Sequence, residues 1–230
     1  MKRFATLFAA TLALAAFAGS ASAALRAPQV PVLGGSLQGY LNTADGGINA
    51  STDQNAAQRW AATVSNNSTF TIQVELSGNA SSNSLGLYNA SAGSPSLYQV
   101  FPGAATTGWF AVASFRTLPT RVIVNLFDAS AALQGTSTHL GADRNDFGFY
   151  ISGPGGTFYT QDSRNGSGDA QALTFAGTGM NAGSWFLAFE ETGLSNSSDQ
   201  DYDDAVLFLE SVNPTPVAKT SWGALKSRFQ

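Results

Sequence analysis

Cysteine is absent from this chain, and histidine occurs once, at position 139. Without cysteine there is no disulfide, no thiolate nucleophile and no sulfur-ligated zinc or iron–sulfur centre. A Ser-His-Asp site would have to recruit His139, and no nucleophile-elbow pattern accompanies it. The surrounding Ser137-Thr-His-Leu-Gly141 reads as loop. Charge is scarce too: Asp, Glu, Lys and Arg make up 11% of the residues, and lysine occurs only at positions 2, 219 and 226. So little positive charge argues against nucleic acid or an anionic membrane surface as partner.

Lys2 and Arg3, the apolar run Phe4 to Phe17 and the small residues Ala21-Ser-Ala23 form a bacterial-type secretory signal peptide over residues 1–23. Its apolar run is too short to span a bilayer, and no later segment is long and apolar enough to do so. The expected mature chain starts near Ala24 and is extracellular or held at the cell surface without a spanning helix. Losing Lys2 and Arg3 leaves nine basic residues against fifteen acidic ones, a net charge of −6. An exported chain without disulfides has to rely on its core, or on a metal, for stability.

Sustained helical periodicity is missing after the leader. Short alternating or apolar runs recur instead, separated by Gly, Asn, Ser and Pro clusters about every ten residues, the pattern of an all-β sandwich. The runs fall at 36–41, 59–64, 69–76, 84–89, 97–101, 108–115, 121–127, 146–152, 156–159, 172–175, 185–190 and 205–212. In Thr69–Leu76, Phe70, Ile72, Val74 and Leu76 alternate with Thr71, Gln73 and Glu75. Gly153-Pro-Gly-Gly156 reads as a hairpin tip. The fold class is therefore a single antiparallel β-sandwich, jelly-roll-like, over residues 30–212. Asn213-Pro-Thr-Pro216 is expected to end it, leaving 213–230 as a tail for sorting or docking. Trp222, Leu225 and Phe229 fall at helical spacing in that tail.

The chemistry concentrates late in the chain. From Glu190 to Glu210 there are seven carboxylates and no Lys or Arg, framed by the apolar runs Trp185–Phe189 and Ala205–Leu209. Crowded carboxylates repel one another, and a hard cation among them relieves the repulsion. Oxygen-only ligands fit Ca²⁺, which takes six to eight oxygens in flexible geometry. The candidate ligands are Glu190, Asp199, Asp201, Asp203 and Asp204. An EF-hand is excluded, because Asp204 stands where that loop requires glycine and a β-type run follows. A hairpin instead brings Glu190 and Asp204 together from its two strand ends. A solvated acidic turn is the plain alternative.

Asp146-Phe-Gly-Phe-Tyr-Ile151, Gly155-Gly-Thr-Phe-Tyr-Thr160, Trp185-Phe-Leu-Ala-Phe-Glu-Glu191 and Asp199-Gln-Asp-Tyr-Asp-Asp-Ala-Val206 resemble the secreted bacterial domain-of-unknown-function 4114 family. The resemblance covers roughly 143–212, and the closing acidic block is its most specific part. Glu191 stands where Asp is usual and Asp203 where Asn is usual; both retain oxygen ligands. It implies a β-sandwich on an exported protein, often with a surface-sorting tail, and no reaction.

The function expected is that of a non-enzymatic structural or surface/matrix protein with a calcium-stabilised sandwich. The alternative is a polysaccharide-binding module, for which Trp60, Trp109, Tyr98 and Tyr159 would supply the rings if they are not used in the core. A glycoside hydrolase is a weaker third reading. Adjacent Glu190 and Glu191 on a strand point to opposite faces, and no opposed pair of carboxylates stands out.

Overall fold

The computed structural model of the chain describes residues 25–26, 36–195 and 198–215. The expected leader 1–23 and the expected tail beyond Thr215 lie outside those residues.

Two antiparallel sheets pack face to face. The first is ordered β13-β1-β8-β3-β4, with β9 also paired to β8. Its strands are β1 (Trp60–Ala62), β3 (Ser84–Asn89), β4 (Leu97–Phe101), β8 (Phe147–Gly153), β9 (Gly156–Tyr159) and β13 (Val212–Pro214). The second is ordered β10-β11-β12-β2-β5-β6-β7. It comprises β2 (Asn67–Glu75), β5 (Phe110–Thr117), β6 (Thr120–Phe127), β7 (Leu133–Leu140), β10 (Ala172–Ala176), β11 (Trp185–Phe189) and β12 (Ala205–Glu210). Alternation explains the layer between them: Ala111, Ala113 and Phe115 of β5 and Val122 and Val124 of β6 are all buried. An edge-to-face contact of Phe149 on β8 with Phe70 on β2, at 5.2 Å, ties one sheet to the other, and Trp60 of β1 packs on the same Phe149 ring at 5.2 Å. The all-β sandwich predicted from turn spacing is the observed fold.

Four expectations need correction. Residues 36–41 do not form a strand; Leu37–Ala44 is a helix, α1. Leu37 and Leu41 fall one turn apart and are both buried against Phe175, Phe186 and Val206 on the outer face of the second sheet. His139 is not in a loop but on β7, a strand of uniformly polar interior sequence. Leu76 does not share a face with Phe70 and Ile72. The β2–β12 register slips between Val206 and Leu207, so Ile72 faces Leu207 while Glu75 faces the core residue Ala205. That bulge leaves Leu76 61% exposed and turns Glu75 inward.

The fourth correction is the domain end. Asn213 and Pro214 continue the first sheet as β13, with Trp60 opposite Pro214, and the Thr215 N–H donates to the Arg59 carbonyl at 2.8 Å. Proline is tolerated because β13 is an edge strand with no neighbour to receive an N–H.

Candidate metal centre

β11 and β12 form the hairpin that carries the acidic loop. Phe189 pairs with Ala205, so Glu190 and Asp204 flank the first residue pair of the ladder. The two glutamates that follow β11 diverge. Glu190 turns under the loop and is fully buried. Its Oε1 accepts the Tyr202 N–H at 2.7 Å and its Oε2 accepts the Ser198 hydroxyl. Glu191 turns toward residues 77–83. Its Oε2 accepts from Ser77 Oγ and from Asn83 Nδ2 at 2.7 Å, and its Oε1 accepts from Asn79 Nδ2 at 3.0 Å.

Carboxylate oxygens of Glu190, Asp199 and Asp201 lie within 4.8 Å of one another. Ligand atoms that close could all reach one metal ion, so the trio could hold a single cation. Both Glu190 oxygens accept one hydrogen bond each and keep lone pairs free for a metal. Above the trio is an open polar depression of about 340 Å³, whose lining includes Gly78, Glu191, Ser198 and Asp203.

The loop backbone is strained where it presents these side chains. Gln200 and Tyr202 both have left-handed φ, 59° and 55°. For a bulky residue such as Tyr202 that conformation is costly and needs support. Support comes from the fully buried ring, from its hydroxyl donating to the Ala170 carbonyl at 2.7 Å, and from its N–H on Glu190.

Of the five ligands predicted, the structure brings Glu190, Asp199 and Asp201 together. Asp203 and Asp204 line the same depression but each has an oxygen committed elsewhere. Asp203 Oδ2 accepts both the backbone N–H and the hydroxyl of Ser36 at 2.7 Å, at the start of α1. Asp204 Oδ2 accepts the Glu191 N–H at 2.8 Å. Sequence reasoning missed Glu75 as a neighbour of this cluster, since only the bulge in β2 turns it inward. It also missed Ser36 and Ser198, whose roles carry no sequence signature.

Electrostatics show the strain of crowding. Burial pushes Glu75 up to about 7, with the Glu191 charge adding to it. Burial likewise pushes Asp204 up to about 7, reinforced by Glu190, Glu191 and Asp201. Glu190 and Asp201 are raised by burial first, then by neighbouring aspartates. Among the described residues no basic side chain makes a salt bridge with these acids; the two ion pairs are Arg26–Asp162 and Arg59–Asp146.

The aromatic residues considered for sugar binding are drawn into the interior. Trp60 and Tyr98 are buried, Trp109 packs against the core, and Tyr159 lies edge-on to Tyr88 at 5.0 Å. No family model matches the chain, and neither a curated protein nor a solved structure matches it.

Proposed function

We propose that this chain is an exported, non-enzymatic structural or surface protein whose β-sandwich is stabilised by Ca²⁺ at the β11–β12 loop. The observation that carries the reading is the convergence of Glu190, Asp199 and Asp201 without a cationic side chain to neutralise them. Glu190 is the buried ligand, and Asp199 and Asp201 close the site from solvent. Asp203 and Asp204 set the loop in place, one from α1 and one from the end of β11. The ion would neutralise the charge that burial makes unfavourable and would hold the left-handed loop against the hairpin. The leader-like N-terminus and the resemblance of the closing acidic block to an exported family support the location and the role.

The reading against catalysis rests on where the side chains go. His139 sits on β7, four strands from β12, with its ring bonded to the Gln99 carbonyl. Calorimetric titration of the purified protein with Ca²⁺ tests the proposal. One binding event, weaker for Mg²⁺ because that ion demands tight octahedral geometry, is expected. No heat and no thermal shift at millimolar Ca²⁺ would return the loop to a solvated acidic turn.

A further inference from the structure

A two-sheet sandwich has four lateral edges, and this one treats them unequally. The β13 edge is three residues long and carries Pro214. Along the β10 edge, the Asn55 N–H donates to the Thr174 carbonyl at 2.8 Å, and Thr174 Oγ1 donates to the Asn55 and Ala57 carbonyls. On the β4 edge the Gln99 carbonyl accepts the His139 Nε2–H at 2.9 Å. A carbonyl only accepts, which fixes the ring nitrogen as donor. Three edges are therefore short, covered or capped, as is the outer side of the four-residue β9, where the Asn165 side-chain amide bonds both the N–H and the carbonyl of Tyr159.

The β7 edge has none of these devices. Leu133–Leu140 is eight residues long and holds no charge and no proline. The Gly141 N–H donates to the Thr120 carbonyl at 2.8 Å, so the residues of β7 that bond to β6 are 135, 137 and 139. The alternation of an antiparallel ladder turns the N–H and C=O groups of Thr136, Thr138 and Leu140 outward. Among the described residues, these six backbone groups have no hydrogen-bond partner in the sheet. At either end of the strand stands an exposed leucine, Leu133 at 58% and Leu140 at 69%.

We propose that β7 pairs antiparallel with β7 of a second copy of this chain, joining two seven-stranded sheets into one. The strand is complementary to itself. A two-fold axis near Thr136 sets Leu140 of each copy beside residues 132–133 of the other, covering both leucines. The charges agree with that direction. Arg121 flanks Leu140 and pairs with Arg116 across β5–β6, whereas Asp128 holds Gln134 and the Ala132 N–H at the opposite end. Antiparallel pairing therefore sets a basic end against an acidic one, and parallel pairing would stack like on like. An uncharged seam also suits a chain of net negative charge, since association adds no like-charge contact along the strand.

Sedimentation velocity on the purified protein should show a monomer–dimer equilibrium. Thr138→Lys should raise the dimer dissociation constant roughly tenfold, because the two-fold places each new charge in the seam twice. At concentrations below the dimer dissociation constant its melting temperature should stay that of the wild type, since Thr138 bonds outward and not to β6. Amide exchange on the wild type gives a reading that needs no variant. Thr136, Thr138 and Leu140 should slow with protein concentration, while Gly135, Ser137 and His139 should not change. A wild type that remains monomeric at hundreds of micromolar would overturn the proposal. So would a dimer indifferent to Thr138→Lys, exchange at Thr138 independent of concentration, or an edge that accepts an extended peptide while the chain stays monomeric.

Discussion

Asp203 accepts two hydrogen bonds from Ser36, a residue 167 positions earlier, one from its N–H and one from its hydroxyl. The acidic loop and the first turn of α1 are thereby held by a single carboxylate. α1 in turn packs Leu37 and Leu41 onto the outer face of β10–β12. Order in the loop and docking of the helix are linked.

Asp203→Ala should loosen α1 before it loosens the sandwich. Two hydrogen bonds are lost from a buried acceptor, about 1–2 kcal/mol in all. Amide exchange across Leu37–Ala44 should accelerate more than exchange in β5 or β6. Ser36→Ala, which keeps the backbone bond, should have a smaller effect in the same direction.

Ca²⁺ should stabilise the folded chain in proportion to its occupancy. A ligand at a hundred times its dissociation constant adds about 2.7 kcal/mol, or about 5–10 °C for a domain of this size. Asp199→Asn with Asp201→Asn should remove that increment while leaving the metal-free melting temperature equal or higher, because two repelling charges are gone. Differential scanning calorimetry with and without chelator reads both outcomes.

Without metal, stability should fall as pH rises from about 4 to about 7. Glu75 and Asp204 are both raised to about 7, so across that window the folded state holds protons that the unfolded state has released. The sign is opposite to that of an ordinary salt-bridged carboxylate. Glu75→Gln should flatten the slope, and saturating Ca²⁺ should offset the loss on the alkaline side. Thermal melts in chelator at about pH 5 and about pH 8 measure it.

Gly155→Ala should disturb the site from outside it. A Cβ there would lie 2.2 Å from the Glu191 backbone carbonyl, and backbone cannot give way as a flexible side chain can. Displacing the β8–β9 hairpin tip from β11 should cost about 1–3 kcal/mol and weaken Ca²⁺ binding. Gly166→Ala, with no atom within 4 Å of the added carbon, is the matched control.

Where a strand buries its own alternate residues, the sequence states it. β5 buries Ala111, Ala113 and Phe115 in alternation within the run its pattern indicates, and Gly153-Pro-Gly-Gly156 closes the hairpin expected of it. β7 is invisible by that criterion, because its side chains bury almost nothing and its place comes from pairing with β6. α1 was obscured because Leu37 and Leu41 also fit an alternating run. β13 was hidden by Pro214, which marks an edge strand as readily as an ending. In the site, the acidic residues announce themselves by composition. The division of labour does not, because Asp203 and Asp204 are set apart from Asp199 and Asp201 only by partners at Ser36 and Glu191.

β1 pairs with β13 and β2 with β12, so the earliest strands of both sheets take partners from the last part of the chain. Neither sheet is whole until residues 205–214 are available. A nascent chain emerging from its N-terminus has β3 to β6 to hold, but nothing to shield one side of β1 and β2 while synthesis continues. Such topology delays closure, since distant segments must meet before either sheet is completed. Closure of both sheets therefore waits for the last strands described, β12 and β13.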